Sequence, residues 1–230
     1  MNEQPVREYV LRGRGPNMMT QESIDEFAAF LAANPESPIL LYGEGDAFST
    51  GHDLDVFHDN TPEEITRASS EALDALFYHR APTVAAINGH AVAGGCILAQ
   101  ACDVRLCTDD PKIRLGVPGV ALGLTYPPKL ERVLRYRLPP HTVDRVLLEA
   151  AQHDPVRALR LGLIDEIVPD AIEAGRNLIR RLAGYSPQAY VEAKLFLRSG
   201  KLDVTAEEAE HHAKLFAAQC AAGVDRTKRD

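Results

Sequence analysis

The chain has no C-x-x-C pair, no excess of positive charge and no long apolar run, and each absence removes a class of function. Its four cysteines, Cys96, Cys102, Cys107 and Cys220, are scattered, three of them among apolar residues. That placement favours buried reduced thiols over a disulfide framework or a zinc site, so no metal is expected. A formal net charge of −8 supplies no broad positive field for nucleic acid or an anionic membrane. No apolar stretch approaches the roughly 18 residues of a membrane span, and Met1-Asn2-Glu3-Gln4-Pro5 lacks the charged-then-apolar pattern of a signal peptide. A cytoplasmic protein is the default expectation. There is also no low-complexity tract, no internal repeat and no Gly-x-Ser-x-Gly elbow, which argues against a serine hydrolase built from Ser49 with His79 or His90.

What is present suits a folded domain: 230 residues, 45% apolar and 25% charged, bury a substantial core. Residues 6–11 alternate as a short strand, and 12–16 form a turn. Thr20 then caps a helix over 21–33, with Ile24, Phe27, Ala28, Phe30 and Leu31 at helical spacing. Ser23 stands where a capping box uses Glu or Gln, so no box is expected. Buried strands are predicted at 37–43, 83–87 and 103–107, separated by helices at 62–79, opened by Thr61, and at 94–101. Such alternation implies a parallel sheet with right-handed crossovers and ligands beyond the carboxyl ends of its strands. After Pro127 the chain reads as helices at 128–135, 140–150, 155–161, 171–183, 187–197 and 205–222, with one edge strand at 164–168. The apolar faces of the last helices need a surface to cover, which predicts an oligomer.

Two glycine loops lie at strand ends. They are Ala47-Phe48-Ser49-Thr50-Gly51-His52-Asp53-Leu54 and Asn88-Gly89-His90-Ala91-Val92-Ala93-Gly94-Gly95-Cys96. Together they read as two backbone N–H donors, at His52 and Gly94, around one carbonyl oxygen. Gly94 sits at a predicted helix N-terminus, where the peptide dipole and an unpaired donor favour developing negative charge.

These loops, with Ala101-Cys102-Asp103-Val104, Leu122-Gly123-Leu124, Gly162-Leu163-Ile164-Asp165 and Ala193-Lys194, resemble the crotonase (enoyl-CoA hydratase/isomerase) superfamily over nearly the whole chain. The resemblance implies an α/β fold, a crotonase-like spiral of ββα units. It divides the chain into a core over 1–170 and a C-terminal helical trimerisation region over 171–230. It also implies an acyl-CoA thioester as substrate with no separate cofactor, assembly as a homotrimer or dimer of trimers, and oxyanion-hole N–H groups at His52 and Gly94. Thr50, His52 and Leu54 would border the adenine pocket of CoA, and Lys228 and Arg229 would reach its phosphates. A solvated basic tail is the alternative for the last two.

The pattern departs from the family at its acids. Hydratases of the family carry a glutamate three residues after the donor glycine and another shortly before the Leu-Gly-Leu segment; here those places hold Ile97 and Gly119. Their loss removes the route by which two carboxylates activate water and return a proton to carbon, so a standard two-glutamate hydratase is not expected. The carboxylate of the dienoyl isomerases and aryl dehalogenases would fall near Pro127. Ser49 through Leu54 with Val117 through Leu124 resemble one branch, the proteins named enoyl-CoA hydratase domain-containing 3. Replacement proton carriers are sought at the His52 ring, whose alternatives are solvent or Asp53, and at the Tyr126 hydroxyl, whose alternative is a satisfied buried phenol. His90 is a possible orienter, Asp53 and Asp103 read as loop-fixing carboxylates, and Glu131 as exposed. A catalytically inactive acyl-CoA-binding or scaffold protein is the competing reading.

Overall fold

Apolar residues on both faces make the central strands buried ones. In β2 (Ile39–Gly43), Ile39 and Leu41 join one core while Leu40 joins another; in β4 (Thr83–Ile87), Ala85 and Ile87 divide from Val84 and Ala86 in the same way. With β1 (Arg7–Leu11), β6 (Val104–Thr108) and β9 (Glu166–Val168) they form a five-stranded sheet of order β1-β2-β4-β6-β9, parallel throughout. The computed structural model describes residues 5–53 and 62–222.

Four very short strands make a second sheet: β3 (Ala47–Ser49), β5 (His90–Val92), β7 (Leu115–Gly116) and β8 (Gln152–His153), the first three parallel and the last antiparallel. Two or three residues are too few to show alternation, so all four of these strands lay unseen inside what read as glycine loops and turns. Three of the major strands, β2, β4 and β6, are each followed by a minor strand and then a helix: β2-β3-α2 (Pro62–Phe77), β4-β5-α3 (Gly94–Ala101), and β6-β7, a 3₁₀ turn (Gly119–Leu122) and α4 (Pro128–Arg137). The fold is therefore α/β and built of ββα units, a structural repeat that leaves no repeat in the sequence.

Helix α1 (Gln21–Ala33) corrects one expectation. Thr20 Oγ1 accepts the Ser23 N–H at 3.2 Å and Ser23 Oγ accepts the Thr20 N–H at 2.9 Å, so a capping box forms with serine in the place of glutamate. Helix α3 is buried along its whole length, the mark of a core helix. Helices α5 (Pro140–Leu148), α6 (Pro155–Leu161), α7 (Ala171–Ala183), α8 (Pro187–Arg198) and α9 (Ala206–Ala222) follow. Ala171 and Ile179 of α7 pack on Leu40, Val84, Ala86 and Leu106, covering the back of the large sheet.

Helix α8 is fastened by charge. The buried Asp103 carboxylate accepts from Lys194 Nζ at 3.0 Å, Arg198 Nη2 at 2.6 Å, the Tyr190 hydroxyl at 3.0 Å and the Thr83 N–H at 2.8 Å. Burial alone would raise this carboxyl; the Lys194 and Arg198 charges hold it below its ordinary value. Asp103 is thus a fixing carboxylate, as its sequence context suggested. Cys96, Cys102 and Cys107 are buried free thiols, each pushed up to about 12 chiefly by burial. Among the described residues no helix is long and apolar enough to cross a membrane, and no three His, Cys, Asp or Glu side chains are grouped to hold a metal ion.

Candidate functional site

The two glycine loops meet. Gly51 has φ +86°, and a Cβ there would stand 2.9 Å from the Gly94 nitrogen, so glycine is required both by conformation and by the approach of the second loop. Next to it, Met19 N–H donates to Gly51 O at 2.8 Å and Asp53 N–H to Met19 O at 2.9 Å. This bridge makes His52 a strand residue whose own N–H points away from Met19.

Gly94 opens α3. Its N–H belongs to the first turn, which has no intrahelical acceptor, and it has no acceptor among the described residues. The preceding residue, Ala93, is held at φ 51°, ψ −123° with its N–H on Gly116 O at 2.8 Å. Strain of this kind in a non-glycine residue costs about 1–3 kcal/mol and gathers at functional sites.

Thr50, His52, Gly94, Gly119 and Tyr126 line one cavity of about 290 Å³, closed on its apolar side by Leu122, Leu130 and Phe216. A small second chamber of about 50 Å³ lies behind it, between Ile24 and Phe27 of α1, Leu73 of α2, and Ile97 and Leu98 of α3. The two share His52, Ser69, Gly94 and Leu130. Ile97, at the place of a family glutamate, adds to the apolar part of this chamber's wall, which Arg12, Asn17 and Ser23 also line.

Ser69 is a polar partner of the His52 ring. Its Nε2 lies 2.7 Å from Ser69 Oγ, while Asp53 Oδ1 accepts from Arg14 at 2.7 Å. Enclosure by protein pulls the imidazole down from 6.5 to about 4, so it is neutral at pH 7. Between pH 6.5 and 4 the unfolded chain binds a proton that the folded one refuses, and stability present above pH 6.5 falls as pH drops through that window. The loss is at most about 3 kcal/mol. Urea melts at pH 7.5 and 4.5 are expected to show this fall, and His52→Gln to flatten it in part, since burial depresses His79 in the same direction.

Gly119 explains the other missing glutamate. A Cβ there would fall 2.4–2.6 Å from the Tyr126 ring and hydroxyl, so tyrosine occupies the space a side chain at 119 would need. The Gly119 N–H donates to Tyr126 Oη at 2.7 Å, and the phenol's own proton has no acceptor among the described residues. Burial raises the phenol well above its ordinary value, keeping it a donor. Gly119→Glu is expected to destabilise the fold by about 1–3 kcal/mol through overpacking. In Gly119→Glu/Tyr126→Ala thermal melts most of that loss is recovered; additive losses would contradict the displacement.

The remaining candidates lie elsewhere. Ser49 is buried and donates to Asn17 O at 2.8 Å, His79 Nε2 is 2.9 Å from Ser37 O, and His90 Nδ1 accepts the Arg114 N–H at 3.0 Å. No Ser49 dyad with either histidine exists. Glu131 pairs with Arg135. Leu54, Lys228 and Arg229 lie outside the described residues. Ser69 was missed by sequence reasoning, although a signal was there. It shares the buried face of α2 with Ala72, Leu73 and Leu76, at spacings of 3, 4 and 7, and a hydroxyl on an apolar face needs a partner.

Comparison with known proteins bears on the family and the fold. The family model described as enoyl-CoA hydratase/isomerase matches residues 8–225. A curated relative, the fatty acid oxidation complex subunit alpha of Shewanella frigidimarina, is 34% identical over 138 residues, covering 58% of this chain and 19% of its own length. The chain thus spans about a fifth of such relatives. An enoyl-CoA hydratase/isomerase family protein from Pseudomonas syringae superposes with TM-score 0.83 at 24% identity, covering 92% of this chain and 94% of its own. Human mitochondrial delta3-delta2-enoyl-CoA isomerase does so with TM-score 0.84 at 22% identity, covering 93% and 88%. At these identities the structural likeness speaks for the fold, while the family match spans the sequence from β1 to beyond α9: the chain belongs to the enoyl-CoA hydratase/isomerase family.

Proposed function

We propose that the protein processes an acyl-CoA thioester, holding the negative charge that develops on its carbonyl oxygen with the backbone N–H groups of His52 and Gly94. One observation carries this reading: the Gly94 N–H, at the N-terminus of a core helix and without an acceptor among the described residues, lies in the wall of a cavity. The Tyr126 hydroxyl, which accepts from Gly119 and lines the same cavity, is a third donor toward the acyl group. With Ile97 and Gly119 in place of two acids, the reaction is not the two-glutamate hydration of an enoyl thioester.

Thr50 and His52, with Leu54, border the adenine end of CoA in this reading, and Lys228 and Arg229 reach its phosphates. CoA enters as part of the substrate, with no further cofactor. The nearest branch is that of the proteins named enoyl-CoA hydratase domain-containing 3. A cytoplasmic homotrimer or dimer of trimers, joined through residues 171–230, is the proposed assembly. Its support is apolar surface left open on α8 and α9, where Phe196, Leu197 and Leu215 are exposed.

Calorimetry with a panel of acyl-CoA esters, followed by turnover assays, tests the reading. Binding with conversion of at least one ester other than crotonyl-CoA is expected. Rapid crotonyl-CoA hydration would overturn the exclusion of hydratase chemistry. Binding without turnover across the panel would favour an inactive acyl-CoA-binding protein, and absence of binding would remove the thioester reading.

A further inference from the structure

We propose that Ser69 and His52 form a nucleophile and base pair that transfers the acyl group of a short-chain thioester to water, with Ser69 Oγ carrying the acyl group in between. The inference rests on the thioester reading above and names its reaction. Three features meet at the pair. The 2.7 Å contact between Ser69 Oγ and His52 Nε2 is the geometry of an activated hydroxyl when the imidazole proton sits on Nδ1. Both residues line the outer cavity and the inner chamber, so the pair stands where a thioester carbonyl passes from one to the other. The Gly94 donor is adjacent, since a Cβ on Gly94 would lie 3.3 Å from His52 Nδ1.

Three cysteines and a second serine among the described residues are worse placed. Cys96, Cys102 and Cys107 are buried, with their thiols far from ionisation, and the Ser49 hydroxyl is donated to Asn17 O. Ser69 is carried on the buried face of α2, which fixes its direction.

The steps balance without any added redox partner. Ser69 Oγ attacks the thioester carbon as its proton passes to His52 Nε2, and the carbonyl oxygen becomes an oxyanion on the Gly94 N–H. The C–S bond then breaks, and the imidazolium returns the proton to give CoA thiol and acyl-Ser69. Water, deprotonated by the same Nε2, attacks the ester; the free acid leaves and Ser69 regains its proton. Enclosure holds the imidazole in the neutral form a base needs but weakens its basicity, and the oxyanion forming beside it is what favours the imidazolium that follows. The chamber of about 50 Å³, with Ile97, Phe27 and Leu73 in its wall, suits a short acyl tail.

The test uses the full chain with acetyl-, propionyl- and butyryl-CoA, reading thiol release and intact protein mass. Hydrolysis is expected, with a mass increase of one acyl group that maps to Ser69. Ser69→Ala should lose a hundredfold or more of the hydrolysis while retaining acyl-CoA binding by calorimetry, and Ser69→Cys should still be acylated. His52→Gln, which keeps the backbone N–H, should lose activity and with it the fall in rate toward acid pH. Binding by the wild type with no thiol release, or hydrolysis by Ser69→Ala within twofold of wild type, overturns the pair and leaves the thioester reading standing. No binding of any ester by the wild type overturns the reading beneath it.

Discussion

Gly94→Pro is expected to lower kcat/KM for the preferred acyl-CoA by about a hundredfold to a thousandfold, the cost of about 3–4 kcal/mol typical of removing one oxyanion donor. Proline deletes the N–H at the first position of α3, a place where the helix itself has no use for it and where proline is tolerated. Any Cβ at 94 would press on the Met19 Cε at 2.6 Å, the far end of a flexible side chain. Gly94→Ala carries that same cost and keeps the donor, so it is expected to stay within tenfold of wild type. The strained backbone of Ala93 makes the proline variant's fold a matter to check, by circular dichroism and thermal melting, before its kinetics are read. Loss of a donor that acts chiefly on developing charge lowers kcat and kcat/KM together. Equal losses in the alanine and proline variants would assign the effect to packing.

Asp103→Ala is expected to destabilise the fold by about 3–5 kcal/mol, because it leaves the Lys194 and Arg198 cations buried without their shared carboxylate. Both cations reach other oxygens, Lys194 at Ala81 O and Arg198 at Ala101 O, and these carbonyls cannot neutralise them. Urea denaturation measures the loss. Lys194→Met in the Asp103→Ala background removes one stranded charge and is expected to recover part of the stability, a non-additive result that distinguishes charge burial from simple loss of contacts. The carboxyl's lowered value adds a sign. The ion-pair contribution is present above the ordinary Asp range and is lost as pH falls through the lower, folded-state value, where protonation breaks both pairs. A loss below about 1 kcal/mol at neutral pH would contradict the clamp.

The large sheet was legible because its strands are four- and five-residue apolar runs or edge strands bounded by proline, glycine and polar residues, and the helices because their apolar residues recur at 3.6. The short strands β3, β5, β7 and β8 were not legible, since Ala47–Ser49, His90–Val92, Leu115–Gly116 and Gln152–His153 carry too few residues for a period to show. Of the site, the two glycine loops could be read, and the structure brings His52, Gly94, Thr50 and Tyr126 to one cavity. The reason for Gly119 could not be read, because it lies in a clash with a ring seven residues away. Ser69's place on an apolar helix face could be read, but its partner could not. Pairing with His52 across 17 residues is a product of how α2 folds back over the first loop, and no local pattern marks it.

The central claim is that the Gly94 N–H holds a thioester carbonyl oxygen. Infrared difference spectroscopy of a bound acyl-CoA labelled with ¹³C at the carbonyl, read in wild type, Gly94→Ala and Gly94→Pro, reports that hydrogen bond itself. The account predicts a carbonyl stretch displaced to lower frequency in wild type and Gly94→Ala and returned toward its free position in Gly94→Pro. A bound carbonyl whose frequency is the same in all three proteins would contradict it.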